Sequence, residues 1–353
     1  MSRVLVTGGA GYIGSFATQA ILRAGHEVIV YDDLSQGHRQ AVEHLAIAHR
    51  ESHPAGGAAV TLIEGDIRDA DKVRDALVHH RVQAVMHFAA RLSVGESVHH
   101  PSRYYDTNVR GTLTVLEAMR AASVPHFVFS STAAVFGEPL RTPIDEDHPK
   151  QPINAYGETK RTVEGALRFF GEAFGLRSVS LRYFNVAGAT EANGELHDPE
   201  THLIPNVLRA AETGQPITLF GDDYPTPDGT CVRDYLHVAD LADAHLLALE
   251  ATAPDDARTD RALVCNLGTG TGFSVRQVVD AASAVVGRRI PETMGGRRAG
   301  DPPVLVAAGE RARDVLGWVA ARPDLETMIG SAWEWRRRNL DVVTGQRKAA
   351  EPA

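Results

Sequence analysis

The chain is poor in cysteine, in lysine and in long apolar runs, and each shortage narrows what it can be. Its 353 residues hold two cysteines, Cys231 and Cys265, with no CxxC spacing. A disulfide-stapled fold and a cysteine-ligated zinc site are therefore excluded, and a reducing, cytoplasmic setting is expected. No stretch of eighteen apolar residues occurs, and the opening "MSRVLVTGG" enters a strand directly, so neither a membrane span nor a signal segment is expected. Basic charge is also short. Lysine and arginine total 36 against 45 acidic residues, a net charge of −9, which argues against a broad nucleic-acid surface. Histidine is plentiful, at sixteen. The pairs His79–His80 and His99–His100 nevertheless lack the spacing and carboxylates of a metal site, and no metal is expected.

A hydrophobic share of 43% and a charged share of 23% describe an ordinary globular protein. Short β-branched runs alternate with longer amphipathic segments, the pattern of a parallel sheet with crossover helices. Strands are expected at 3–7, 27–31, 59–65, 84–88, 126–131 and 178–184, and helices at 12–24, 70–80, 103–121 and 156–174. The expected fold class is α/β: a Rossmann-type doubly wound parallel sheet with a smaller C-terminal α/β substrate lobe. The first lobe would span 1–184, with 236–265 returning to it. The second would take 185–235 and 266–340, and 341–353 would be a disordered tail. The segment 44–58, with Pro, Gly and histidines between two strands, reads as a surface insertion. The run 234–250 reads as helix.

Ligands of such a sheet bind at the carboxyl ends of its strands. There, "VTGGAGYIG" sets Gly8, Gly11 and Gly14 between the first strand and first helix, where glycines permit a tight turn and close approach of a pyrophosphate to the helix N-terminus. Asp32 ends the second strand, placed to accept hydrogen bonds from an adenosine ribose and to repel a 2′-phosphate, so NAD is favoured over NADP. Asp66 follows the third strand and could meet adenine. "HFAA" (87–90) follows the fourth and could line the pyrophosphate.

The fifth strand runs into "SSTAAVFG", and some twenty residues later "NAYGETK" places Tyr156 four residues before Lys160. On a helix these two share a face. A hydroxyl, a phenol and an ammonium converging on a nicotinamide make a proton relay for oxidising a carbinol. Tyrosine titrates near pH 10, so a neighbouring ammonium and a cationic nicotinamide are expected to lower the Tyr156 pKa.

Together, "TGGAGYIG", "SSTAAVFG", Tyr156-x-x-x-Lys160 and "LRYFN" resemble the extended short-chain dehydrogenase/reductases. Segments 88–112, 221–245, 266–275 and 297–303 extend the resemblance over nearly the whole chain, toward the UDP-glucose 4-epimerase family. The resemblance implies interconversion of UDP-galactose and UDP-glucose through a 4-keto sugar, with a tightly bound NAD that is recycled. It implies Tyr156 as the acid–base residue, Lys160 as its partner on the nicotinamide ribose, and Thr132 as a hydrogen-bond partner of the 4-hydroxyl. Cofactor contacts would come from Gly8, Gly11, Tyr12, Ile13 and Gly14, from Asp32, Asp33, Leu34, Ser35, Gln36 and Gly37, and from Asp66, Ile67, Phe88, Ala89, Ala90, Arg91 and Leu92. Thr107, Asn108, Tyr156, Lys160 and Phe184 would complete them. Substrate contacts would come from Thr132, Tyr156, Asn185, His202, Leu203, Thr218, Leu219, Phe220, Arg233, Arg298 and Asp301, the two arginines gripping the diphosphate of a UDP-hexose. A homodimer through helices near 95–120 and 155–173 is implied as well.

The sequence departs from the family pattern at three positions. Leu92 stands where some epimerases carry lysine, and His202 where asparagine is common. Leu305 occupies a place that bears on whether an N-acetyl group fits, which keeps N-acetylated and pentose substrates open. A dehydratase would carry Asp-Glu after the active-site threonine, whereas Ala133 and Ala134 follow Thr132. A dehydrogenase with exchanging cofactor and a non-catalytic NAD-sensing protein are the remaining alternatives. External NAD demand would mark the first, and lack of turnover the second.

Overall fold

Strand residues alternate between two faces, and here both faces are buried. Val4 and Val6 pack to one side of the first strand with Val28, Val30 and Met86, while Leu5 packs to the other with Ile29, Val85 and Phe127. The computed structural model describes residues 2–52, 59–197, 199–253, 260–298 and 301–343. Its central strands are β1 (Arg3–Thr7), β2 (Glu27–Asp32), β3 (Val60–Glu64), β4 (Ala84–His87), β5 (His126–Thr132) and β6 (Arg177–Tyr183). The second lobe adds β7 (Asn185–Ala187), β8 (Ile217–Phe220) and β9 (Val232–His237) before β10 (Ala262–Leu267) returns.

The main sheet has seven parallel strands in the order β10-β6-β5-β4-β1-β2-β3. Its direction of winding reverses between β1 and β4, so the turn after Thr7 and the loop after His87 flank the switch point where such sheets bind ligands. The six expected strands are all present. The seventh, β10, pairs with β6 along its full length.

The crossover helices are α1 (Tyr12–Arg23), α2 (Arg39–Ser52), α3 (Ala70–His79), α4 (Val94–His99), α5 (Pro101–Tyr104), α6 (Gly111–Ala121) and α7 (Ala155–Phe174). Four readings of the sequence need correction. Residues 44–52 of the supposed insertion are the body of α2, an ordinary crossover helix from β2 to β3, and 53–58 lie outside the described residues. The run 234–250 is not all helix: its first four residues finish β9, because Asp234 and Tyr235 pair with flanking strands, and α8 (Leu203–Thr213) and α9 (Val238–Ala251) stand on either side of that strand. The expected helix 103–121 is interrupted by a π-helical turn, Tyr105–Arg110. Of the expected disordered tail, 341–343 are helical and 344–353 lie outside the described residues.

The second lobe is built on β9, which pairs with β7, with β11 (Gly272–Ser274) and with β13 (Val304–Leu305). Beside it β8 pairs with β12 (Glu292–Gly295). A separate apolar core of Ile204, Leu208, Leu219, Tyr235, Val278 and Met328 joins α8 to α10 (Val275–Val286) and to α12 (Leu325–Arg338), which α11 (Glu310–Leu316) precedes. Among the described residues no helix is long and apolar enough to cross a membrane.

Candidate active site

Local chemistry determines where α7 begins. Asn154 is its N-cap, accepting from Gly157 N at 2.8 Å, and Gly175 ends it in the left-handed region at φ +74°. Its buried face runs Gly157, Lys160, Val163, Leu167, Gly171, a stripe at three- and four-residue spacing. Gly157 is there for closeness: a Cβ would come within 2.3 Å of the Ala134 carbonyl oxygen. The helix start therefore lies against the short turn Ala133–Val135 that follows β5. That approach brings Tyr156 to Thr132.

Lys160 is buried and its Nζ donates to the Ser130 carbonyl at 2.8 Å, 4.9 Å from the Phe129 ring centroid. Burial pulls its pKa down to about 7, opposed by the Glu164 carboxylate one turn along. The Tyr156 pKa departs from expectation. Burial raises it, and a hydrogen bond with Thr132 only partly offsets the rise. The reason is that Lys160 turns its ammonium to a carbonyl rather than to the phenol, 5.9 Å from that ring's centroid, so desolvation of the phenolate dominates.

Beneath this pair lies a buried ionic group. Arg182 on β6 forks Glu164 with bonds of 2.8 and 2.6 Å, the side chains being 2% and 7% exposed, and Ser131 Oγ donates to the same carboxylate at 2.6 Å. Ser130 Oγ contacts the Tyr183 hydroxyl. Neither Glu164 nor Arg182 was singled out from the sequence, although both left signals. Glu164 is four residues past Lys160, on the same helix face. Arg182 sits in an apolar strand pattern, where a charge requires a partner.

At the cofactor side the three glycines differ. A Cβ on Gly8, at φ +71°, would reach Ala89 N at 2.5 Å, and one on Gly14 would reach the Gly8 carbonyl oxygen at 2.1 Å. At Gly11 the nearest atom is 3.4 Å away, so this glycine opens the turn at the start of α1. A dinucleotide pyrophosphate fits such a cradle at a helix N-terminus. Asp32 is buried, accepting from Ala10 N and Leu34 N at 2.9 Å each, with the 33–37 loop folded around it. Burial raises its pKa against these two bonds.

Asp66 is forked by Arg68, at 2.9 and 3.0 Å from Nε, and Arg68 also contacts Asp106. Ile67 is core, against Val73 and Val115, and the Phe88 ring lies tilted against His245, 4.7 Å between centroids. The π-helical turn presents Thr107 and Asn108. The Asn108 amide accepts from Arg91 N at 2.8 Å and donates to Arg91 O at 3.0 Å and Thr159 Oγ1 at 3.1 Å, tying the 88–92 loop to α7. Leu92 is exposed.

On the substrate side, Arg233 of β9 is buried, donates to Val232 O at 2.8 Å and pairs with Asp301. Arg298 lies 4.1 Å from the Phe220 ring centroid. Thr218, Leu219 and Phe220 belong to β8, Asn185 opens β7 beside Tyr235, and Leu203 opens α8. Phe184 and Leu305 both pack on the Val135–Phe136–Ile144 cluster. His202 is the residue before α8, and its Nδ1 faces Glu195 and Glu200 at 2.8 and 2.9 Å. Burial opposes charge on its imidazole, but the two carboxylates outweigh it and raise its pKa. Burial likewise pushes Glu195 up, and the bonds from His197 and His202 outweigh that and hold it down. The spacing Glu195-x-His197-x-x-Glu200-x-His202 was the signal for this cluster, which the isolated histidine pairs obscured.

Comparison with known proteins agrees with the geometry. Residues 4–264 match the model of the NAD dependent epimerase/dehydratase family. The UDP-glucose 4-epimerase of Corynebacterium glutamicum is 48% identical over 349 residues, 99% of this chain and 100% of that protein. The crystal structure of a UDP-glucose 4-epimerase from Brucella ovis in complex with NAD is similar at TM-score 0.85 and 43% identity, over 95% of this chain and 98% of that one. One from Stenotrophomonas maltophila, with NAD and formylated UDP-arabinopyranose bound, gives 0.90 and 38%, over 97% and 100%.

Proposed function

The chain belongs to the NAD-dependent epimerase/dehydratase family, and from that membership we propose that it interconverts UDP-galactose and UDP-glucose by epimerisation at C4. The meeting of Thr132, Tyr156 and Lys160 at the carboxyl end of β5 is the observation that carries this reading. When bound, NAD supplies the acceptor and then the donor of the C4 hydride. Tyr156 takes the 4-hydroxyl proton on oxidation and returns it on reduction, so one phenol serves both directions. Thr132 holds that hydroxyl. Lys160 would hold the nicotinamide ribose, and its charge there would favour phenolate. The glycine turn, Asp32 and the 88–92 loop hold the dinucleotide.

Arg233 and Arg298 bind the diphosphate, the first oriented by Asp301 and the second by Phe220. Asn185, Leu203, Thr218 and Leu219 complete the nucleotide contacts, and His202 has only Nε2 left for any such role. The substrate lies between the seven-stranded sheet and the lobe built on β9. A cytoplasmic location fits a chain with two cysteines and no disulfide framework.

The deciding experiment adds UDP-galactose to purified protein without NAD and follows UDP-glucose by NMR. Conversion is expected, because the cofactor is carried and regenerated; a strict requirement for added NAD would point to a dehydrogenase. UDP-N-acetylgalactosamine and UDP-arabinose in the same assay test a wider substrate range, which Leu305 leaves open through its packing beside Phe184.

We also propose a homodimer through the helices near 95–120 and 155–173. Val98, Tyr105 and Phe169 are 60%, 43% and 57% exposed on this side. Leu167, on the opposite side of α7, belongs to the core of its own chain. Light scattering should give twice the chain mass, and Phe169→Glu should shift it to monomer. A monomeric parent protein removes the proposal.

A further inference from the structure

The segment between Gly188 and α8 carries a side-chain cluster from which the proposed sugar-nucleotide chemistry draws only on His202, and there only on its Nε2. Glu195 Oε1 lies 2.9 Å from His197 Nδ1 and 2.8 Å from His202 Nδ1, and Glu200 Oε1 lies 2.9 Å from His202 Nδ1. One possible ligand atom from each of the four residues falls within 4.8 Å of the other three. These are not the solvated acids of a loose surface patch: the Glu195 and Glu200 side chains are only 8% and 10% exposed. The Nδ1 of His202 carries at most one hydrogen yet faces two carboxylate oxygens, so hydrogen bonding alone divides one donor between two acceptors.

Backbone contacts hold the arrangement in place. His202 N donates to Glu200 Oε1 at 2.7 Å, and Asn206 Nδ2 donates to the carbonyls of Glu200 and His202 at 3.3 and 2.8 Å. Once the His202 imidazole gives up its proton, as ligation requires, two carboxylates and two neutral imidazoles carry a charge of about −2, which one divalent cation offsets at contact distance. Two nitrogen and two oxygen donors suit a borderline first-row ion, whereas calcium and magnesium favour all-oxygen shells of six or more.

We propose that Glu195, His197, Glu200 and His202 bind one divalent transition-metal ion of the zinc type, as a structural clasp between the two lobes. The His197 ring packs edge-on to Tyr12, with centroids 6.1 Å apart, and the Tyr12 hydroxyl donates to Gly188 O at 2.6 Å. His202 directly precedes α8. An ion in the cluster therefore ties the glycine turn of the first lobe to the start of a second-lobe helix. The clasp is independent of which sugar is turned over, and of whether any is.

Cobalt(II) titrated into tag-free, NAD-loaded protein tests it. The expected result is one equivalent bound with the intense visible bands of a four-coordinate ion, displaced by zinc, together with a higher thermal midpoint. Glu195→Gln and His202→Ala should each weaken cobalt binding by about 100-fold or more. Because His202→Ala also removes a residue at the start of α8, Glu200→Gln serves as the variant that keeps the side-chain shape, with circular dichroism as the check on folding. His99→Ala should bind as the parent does. Absence of stoichiometric binding, the weak bands of a six-coordinate ion, an unmoved thermal midpoint, or binding unaffected by Glu195→Gln each overturns the site and leaves an ion-pair network only.

Discussion

Tyr156→Phe should lower turnover by about 10²- to 10⁴-fold, the usual share of a positioned acid–base group, while the protein keeps its fold and its NAD. The phenyl ring preserves the packing against the Ala133–Val135 turn and loses only the hydroxyl that meets Thr132. The epimerisation needs a proton removed and returned at the same oxygen, and Tyr156 is the phenol hydrogen-bonded to Thr132. Lys160 is bonded to the Ser130 carbonyl, and the Tyr183 hydroxyl is in contact with Ser130 Oγ. The measurements are kcat by NMR of UDP-glucose formation and cofactor content after denaturing the protein. A variant with near-normal kcat would remove Tyr156 as the base; one without NAD would make the residue a cofactor anchor instead.

Burial raises the phenol's pKa, which favours the protonated form at neutral pH. Deprotonation then depends on positive charge brought near the ring, and Lys160 is placed to supply part of it. Burial brings its own pKa down to about 7, so its ammonium is easily lost, with Glu164 working to retain it. Two groups that titrate abnormally for the same reason, desolvation, are thereby set against each other in one site.

Arg182→Met should destabilise the protein by roughly 3–5 kcal/mol, the usual consequence of leaving a buried charge without its partner. Glu164 would keep the Ser131 hydroxyl and the fields of Lys160 and Lys150, in a place where its side chain is 7% exposed. The urea midpoint should fall with little change in slope. The double variant Arg182→Met/Glu164→Gln should recover much of the loss, because no unpaired charge then remains. A loss below about 1 kcal/mol in the single variant would show that water reaches Glu164 and that the pair is not a structural base for Lys160.

The legible parts of this protein were those with local causes. The sheet could be read because both faces of a parallel strand are buried, which leaves runs such as "RVLVT" and "HFVFSS" that no turn or exposed helix would carry. The glycine turn and the Tyr156–Lys160 spacing were legible because a tight turn and a helical repeat operate within a few residues. His44 and His49 looked like part of a loop, yet the amphipathic spacing of 39–52 carries both within α2, the helix that crosses from β2 to β3.

What the sequence determined by itself was the architecture, the nucleotide turn and the pair of residues on α7, since these follow from periodicity and backbone permissiveness. Only the tertiary structure decided how that pair is tuned. Strand pairing placed Arg182 under Glu164, Gly157 let α7 close on the Ala134 carbonyl, and the resulting burial reversed the expected shift of Tyr156. The same holds for the Glu195–His202 cluster, whose spacing is visible in the chain but whose convergence depends on how the segment folds back before α8. Desolvation and pairing are properties of what surrounds a group in space, and neighbours far apart in sequence supply most of those surroundings.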